Sequence, residues 1–253
     1  MVFSDLFFLF VFIPLCILLY LIGNQIDNKR GGYTFRNFIL IIFSLIFYAW
    51  GEPKYVLLLM FMALSSWFCA LQVEKGATPQ KKKLWLLINC AVDILLIGYF
   101  KYAGLFCSIF GEVPEFVKKI ALPIGISFYT FQLLTYVVDV YRGEAPAQKR
   151  YWNVLLYAAL FHQCIAGPIV RYQDINQDII RRRATPAEIS RGVSRFTVGL
   201  AKKAILANGC AAIVSDMVEK PESLIDETGN IKPTKVNPDL DDRQLVQNAI
   251  SVI

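Results

Sequence analysis

Residues 2–22 read VFSDLFFLFVFIPLCILLYLI. The run is apolar over the ~20 residues a helix needs to cross a bilayer, and Asp5 is its only charge. No Lys or Arg precedes Lys29, so the basic n-region of a cleaved secretory signal is missing. The stretch therefore reads as a retained transmembrane helix, and it sets the class of the whole chain.

The same reading continues outward. Phe38–Trp50 and Tyr55–Val73 are apolar blocks either side of Gly51-Glu52-Pro53, a helical hairpin with Trp50 and Tyr55 at the interface. Leu84–Phe106, Ile120–Val138 (opened by Pro123 and Gly125) and Trp152–Val170 follow. Phe196–Met217 carries Lys202 and Lys203, and its basic amphipathic pattern suits a helix lying in the interface as well as one crossing it. Of the 253 residues, 56% are hydrophobic and only 18% charged, against ~25% in an average soluble domain. That excludes intrinsic disorder and argues against a soluble globular domain. The expected fold class is all-α: a polytopic transmembrane helical protein with a re-entrant segment.

Charge is divided along the chain. Residues 219–253 carry seven acids and four bases, a net of −3, which leaves +9 on residues 1–218 of the overall +6. The expected organisation is a membrane domain over 1–217 and a polar, disordered tail over 218–253. The aromatics mostly lie inside apolar runs, so the basic excess points to cytoplasmic loops of a membrane protein and not to a nucleic-acid groove. Lys29, Arg30 and Arg36 share one side with Lys75, Lys81, Lys82 and Lys83, two spans further on. The positive-inside rule makes that side cytoplasmic and places the amino terminus outside.

Parity then fails. If Trp152–Val170 crosses, then Arg171, Arg181, Arg182, Arg183, Arg191 and Arg195 lie outside. The repair is a segment that enters and returns, turning near Gly167-Pro168. Irregular backbone at that depth is tolerated only against protein or a wet cavity, so a cavity is expected near Ala166–Arg171.

Polar residues within the apolar blocks are the candidate cavity or substrate-path residues: Asp93, Gln132, Gln163, Gly167, Pro168 and Arg171. Asp93 reads either as a proton or substrate contact or as a structural hydrogen bond between helices. Lys101, about two turns on, is too far for a direct pair and suits snorkelling to the headgroups. Gln132 and Gln163 suit bonds across helices or a polar path. Arg171, just past a Gly-Pro break, reads either as an anion contact or as an anchor at the inner surface. Asp139 and Arg142, at i and i+3, are expected to form a structural ion pair. The cysteines form no CxxC and read as buried thiols, and the lone His162 reads as structural. No metal site, nucleophile elbow, Walker sequence or dinucleotide fingerprint is present, so no catalytic residue is assigned from the residues themselves.

Four runs carry a resemblance. They are YAWGEPKY at 48–55, LPIGISFYTFQ at 122–132, DVYRG at 139–143 and IAGPIVRY at 165–172. In this order they resemble signatures of the membrane-bound O-acyltransferase family, and most of all the branch that O-acetylates alginate. The resemblance implies a ring of helices around a funnel, and transfer of an acyl group, commonly acetyl, to hydroxyls of an exported polysaccharide. It also implies the bacterial inner membrane as location and an acyl-CoA or acyl-carrier thioester as co-substrate, with no cofactor bound. The implied partners are the lipid bilayer, other polysaccharide-acetylation proteins or a second chain supplying a missing half, and no nucleic acid.

Two departures qualify it. His162 stands where the family has proline, in FHQCIAGP, so it is not the family's catalytic histidine. The family's histidine-bearing second half has no counterpart after Met217. The expectation is an N-terminal half that is inactive alone, with a non-enzymatic partner or half of a split acyltransferase, and then a small transporter, as alternatives.

Overall fold

The computed structural model describes residues 5–30, 32–110, 114–118, 122–163, 170–180, 182 and 185–211. Its described residues are mostly helical, with no strand among them. They divide into two compact units, one spanning 10–183 and the other joining 2–9 to the chain from 184 onward. The expected turn at Gly167-Pro168 and the polar tail at 218–253 lie outside the described residues.

A π-helical turn, Phe8–Phe12, leads into α1 of the first unit, Ile13–Arg30. α2 is Thr34–Gly51, and a 3-10 turn at Pro53–Tyr55 opens α3, Val56–Lys75. α4, Pro79–Ile97, continues through a π-helical turn at Gly98–Tyr102 into α5, Ala103–Phe110. The short α6, Glu115–Lys118, precedes α7, Ile126–Arg142. α8 is Tyr151–Ala159 and α9 is Tyr172–Ile180. Among the described residues, four helical stretches are long and apolar enough to cross a membrane: Phe8–Lys29, Thr34–Gly51, Pro53–Lys75 and Pro79–Ile109. The chain is an all-α, polytopic membrane protein.

Local chemistry sets the helix ends. α1 runs past the expected limit at Ile22 as far as Arg30. Asp27, in its last turns, folds back to accept from the backbone N–H of Phe35 (3.1 Å) and Arg36 (3.0 Å). A carboxylate on the free N–H groups of α2 satisfies orphan donors and complements the helix dipole. Thr78 accepts from the Lys81 N–H, and Pro79 fills the first helical position of α4. α7 is bounded by two left-handed glycines, Gly125 (φ 74°) and Gly143 (φ 75°). At Gly143 the Glu144 N–H reaches the Asp139 carbonyl (2.9 Å) and the Gly143 N–H the Val140 carbonyl (3.1 Å), the bond pair of a Schellman ending.

α3 and α7 form the centre, through Leu59, Met62, Ala63, Ala70 and Val73 against Tyr129, Leu133, Tyr136 and Val137, all buried. α8 is buried from Asn153 to Ala159 on every side, as an interior helix must be. With 9 residues it spans about 13 Å, far short of a ~30 Å hydrocarbon core. α4 is built the other way round. Its fully buried residues are Asn89 and Asp93, while Leu84, Leu87, Ile94 and Leu95 point outward. In lipid an outward leucine costs nothing, and an inward amide or carboxyl is what one helix offers another.

The second unit contributes α10, Pro186–Ala201, followed by a π-helical turn at Lys202–Ala207. Its start is a capping box: Thr185 Oγ1 accepts from the Glu188 N–H (3.3 Å), and Glu188 Oε2 accepts from the Thr185 N–H (2.8 Å). Those bonds hold the Glu188 carboxyl below the usual glutamate range.

Candidate functional site

Hydrogen bonds join the four sequence runs in pairs, the first to the second and the third to the fourth. At one end of the first unit the Tyr48 hydroxyl donates to the Ile124 carbonyl (3.1 Å), and the Ile124 N–H donates to Glu52 Oε2 (2.9 Å). This fastens the 51–55 turn to the start of α7. In mid-helix Gln132 Nε2 lies 3.3 Å from the Tyr157 carbonyl and 3.4 Å from Gln163 Oε1. The two amides singled out from the sequence therefore meet. Gln132 is buried, and its amide N–H groups are spent on α8 and on the turn that follows it.

At the other end Arg171 inserts one guanidinium nitrogen between two carboxylates, Asp139 Oδ1 at 2.5 Å and Glu144 Oε2 at 2.6 Å. Asp139 is buried and Glu144 is partly exposed. The left-handed turn at Gly143 brings the two acids side by side. The expected pairing of Asp139 with Arg142 is replaced here, because α7 ends at Arg142 and that side chain reaches Glu144 instead, at 3.8 Å. The bonds from Asp139 and Glu144 raise the Arg171 pKa further and keep it charged. Both carboxylates meet the same guanidinium nitrogen, and the Arg171 side chain is 41% exposed.

Beneath the clamp lies a stack of three buried tyrosines. The Tyr136 and Tyr172 rings are 4.7 Å apart, and those of Tyr157 and Tyr172 are 5.3 Å apart. The Tyr157 hydroxyl donates to the Val170 carbonyl (2.8 Å). The Gln148 N–H donates to Tyr136, and Gln148 Nε2 to Tyr172. Burial pushes the Tyr172 hydroxyl up to about 12, so it stays neutral at physiological pH.

These bonds fix where the segment from α8 to Arg171 begins and ends. It leaves from Arg150, whose guanidinium donates to Thr34 Oγ1 (3.3 Å) at the start of α2. It returns to Asp139 and Glu144 at the end of α7. The loop between α7 and α8 is held at the end of α3, by Glu74 accepting from the Ala147 N–H (3.0 Å) and by Trp67 donating to the Gln148 carbonyl (2.9 Å). Asn37 donates to the Ile179 carbonyl in the last turn of α9 (2.9 Å), and just beyond the helix Arg36 donates to the Arg182 carbonyl (2.9 Å). Departure and return share one end of the unit, together with the α1–α2 and α3–α4 connections. Just after α8 the Phe161 N–H donates to Ser44 Oγ, and the Phe161 ring joins Phe12 and Phe47.

The remaining candidates are separate from this junction. Asp93 accepts from Asn89 Nδ2 (2.7 Å) one turn back on its own helix, and its Oδ1 is buried without a hydrogen-bond partner. Lys101 Nζ lies over the Tyr102 ring (5.4 Å). Gly167 and Pro168 fall outside the described residues. Among the described residues, no group of three or more His, Cys, Asp or Glu side chains gathers to hold a metal. Sequence reasoning missed Glu144 and the tyrosine stack. The available signals were the acid directly after the DVYRG glycine and the tyrosine directly after Arg171.

Comparison with known proteins adds a second line. No protein-family model and no solved structure matches the chain. It is 34% identical over 221 residues to the probable alginate O-acetylase AlgI of Pseudomonas aeruginosa, covering 84% of this chain and 41% of that protein. It is 35% identical over 224 residues to the protein of that name from Pseudomonas syringae pv. tomato, covering 85% and 42%. The peptidoglycan O-acetyltransferase of Helicobacter pylori is 26% identical over 258 residues, covering 88% and 48%. The chain thus spans less than half the length of these relatives. It resembles the membrane-bound O-acyltransferases of the alginate O-acetylase branch over the amino-terminal portion of their length.

Proposed function

We propose that this chain forms the amino-terminal, membrane-embedded part of an O-acyltransferase that passes an acetyl group to hydroxyls of an exported polysaccharide. The observation that carries the reading is the pairwise joining of the motif runs, the first to the second at Tyr48–Ile124–Glu52 and the third to the fourth at Asp139–Arg171. Similarity to alginate and peptidoglycan O-acetyltransferases supports it.

In such a transfer the hydroxyl oxygen attacks the carbonyl carbon of a thioester, an ester bond forms, and the thiol leaves with a proton. A general base must take the hydroxyl proton. The residues of this chain have a different task. They return a short interior helix to its starting surface and hold it there, shaping a wall for the reaction. The acyl donor is a thioester such as acyl-CoA or an acyl carrier. The membrane is the bacterial inner membrane, with the amino terminus outside and the Lys/Arg connections in the cytoplasm, where a thioester donor is available. A second polypeptide segment supplies the base, and the chain alone is inactive.

The test uses a bacterium that makes alginate but lacks its O-acetylase. This chain is expressed alone or together with the carboxy-terminal part of a relative, and ester-linked acetate on the exported polymer is measured. Acetate is expected only with both parts. Acetylation by the chain alone, above the empty-vector level, would show that it carries its own base, with His162→Ala as the next variant.

A further inference from the structure

α10 is not among the helices long and apolar enough to cross a membrane. Its residues nevertheless sort by face. Ile189, Val193, Phe196 and Leu200 recur at i, i+4, i+7 and i+11, one stripe of a 3.6-residue helix. Ile189, Val193 and Phe196 are exposed at 53%, 61% and 44%. Arg191, Arg195 and, just past the helix end, Lys202 fall together on the opposite side, with one exposed apolar residue, Val198, among them. The acid of this helix, Glu188, is committed to the capping box. The outcome is an apolar stripe backed by cations, on a helix whose start is fixed by its own cap.

We propose that α10 lies along the membrane surface, with its apolar stripe at the acyl-chain boundary and its basic face against anionic lipid headgroups. Charge complementarity selects this occupant. A helix with low overall hydrophobicity, a strong face-to-face contrast and Lys/Arg on its polar side binds an interface by apolar burial plus attraction to acidic lipid. A partner protein covering the apolar stripe would have no use for the cations on the far side, whereas a negatively charged leaflet attracts all of them. The inference is independent of the acyl-transfer reading, because it concerns where a helix rests and not what the site does.

The experiment reconstitutes the full chain in nanodiscs of phosphatidylcholine, with and without phosphatidylglycerol. Amide hydrogen exchange is followed across residues 186–201 by mass spectrometry. Exchange is expected to be about tenfold slower with the acidic lipid at low salt, and the difference should shrink as salt is added. The triple variant R191Q/R195Q/K202Q, which changes exposed positions only, should lose the dependence on phosphatidylglycerol. Val193→Ser should speed exchange in both lipids. Slow exchange that ignores lipid charge and salt would overturn the proposal in favour of packing against protein. Fast exchange in every condition would overturn it in favour of a solvated helix.

Discussion

Arg171 is the residue on which the end of the returning segment depends. Removing it leaves Asp139 buried with neither of its oxygens paired to a cation, and breaking a pair around a buried charge is worse than never having made it. Arg171→Ala is therefore expected to lower the melting temperature in detergent more than Arg171→Lys, and Arg171→Lys more than Glu144→Gln, whose carboxylate is partly in water. Equal losses from all three would show that the clamp does not hold the segment. Gln132 is the second such residue. Gln132→Leu withdraws the donor from the Tyr157 carbonyl and Gln163 Oε1, at a cost of about 1–3 kcal/mol by chemical denaturation. The sequence showed which polar groups mattered but not all of their partners. Gln132 and Gln163 were legible as amides needing mates inside apolar runs. The partner of Asp139 was not legible: Arg142 stands at i+3 on the same helix, but its side chain reaches Glu144 instead. The true partner lies 32 residues away, and no local periodicity reports that.

At the scale of elements, α8 shows that an apolar block is not a span. Its block was long enough to cross, yet the helix stops at Ala159 and the chain comes back to the end of α7. The clue was electrostatic, a cluster of arginines on what would have been the wrong side, and it came from parity and not from hydropathy. Single cysteines at Gln173 and Gln177 should label from the same side of sealed vesicles as one at Lys81, with Lys54→Cys labelling from the other. Labelling of Gln173→Cys from the Lys54 side would mean that the block crosses. α10 gives a second prediction, in pH. Its glutamate has a lowered folded pKa, so the cap's stabilisation is complete above the ordinary glutamate value of ~4.3 and is lost as pH falls through the lower folded value. Exchange at the amino-terminal end of α10 should accelerate in that acid window in the native chain. In Glu188→Ala it should be fast already at neutral pH and flat across the window.

For the whole molecule, the outer surface is the argument. Leu18, Leu57, Phe61, Leu84, Ile94, Leu95, Leu105 and Ile109 all face outward, while Asn89, Asp93, Asp139 and Asn153 face inward. That inversion belongs to a chain dissolved in lipid. The expected outcome is that the chain stays in the pellet when membranes are washed at alkaline pH, and its release into the wash would contradict a multi-pass fold. The class was legible from composition and run length alone, because the bilayer imposes one strong rule on every helix. Of the blocks read from the sequence, the first four correspond to the four stretches long and apolar enough to cross among the described residues, and the later ones do not. How the helices interlock was not legible, since it depends on single side chains meeting across distant segments.

The clamp also has a history within each molecule. A chain is made from its amino terminus, so Asp139 and Glu144 are synthesised before the arginine that neutralises them. Until then two acids sit at the end of a newly inserted helix with Arg142 beside them. When Arg171 is made, both of its counter-charges are already part of the chain. On the orientation proposed above, an arginine drawn to them is expected to hold the preceding segment back, so the order of synthesis would favour the turn.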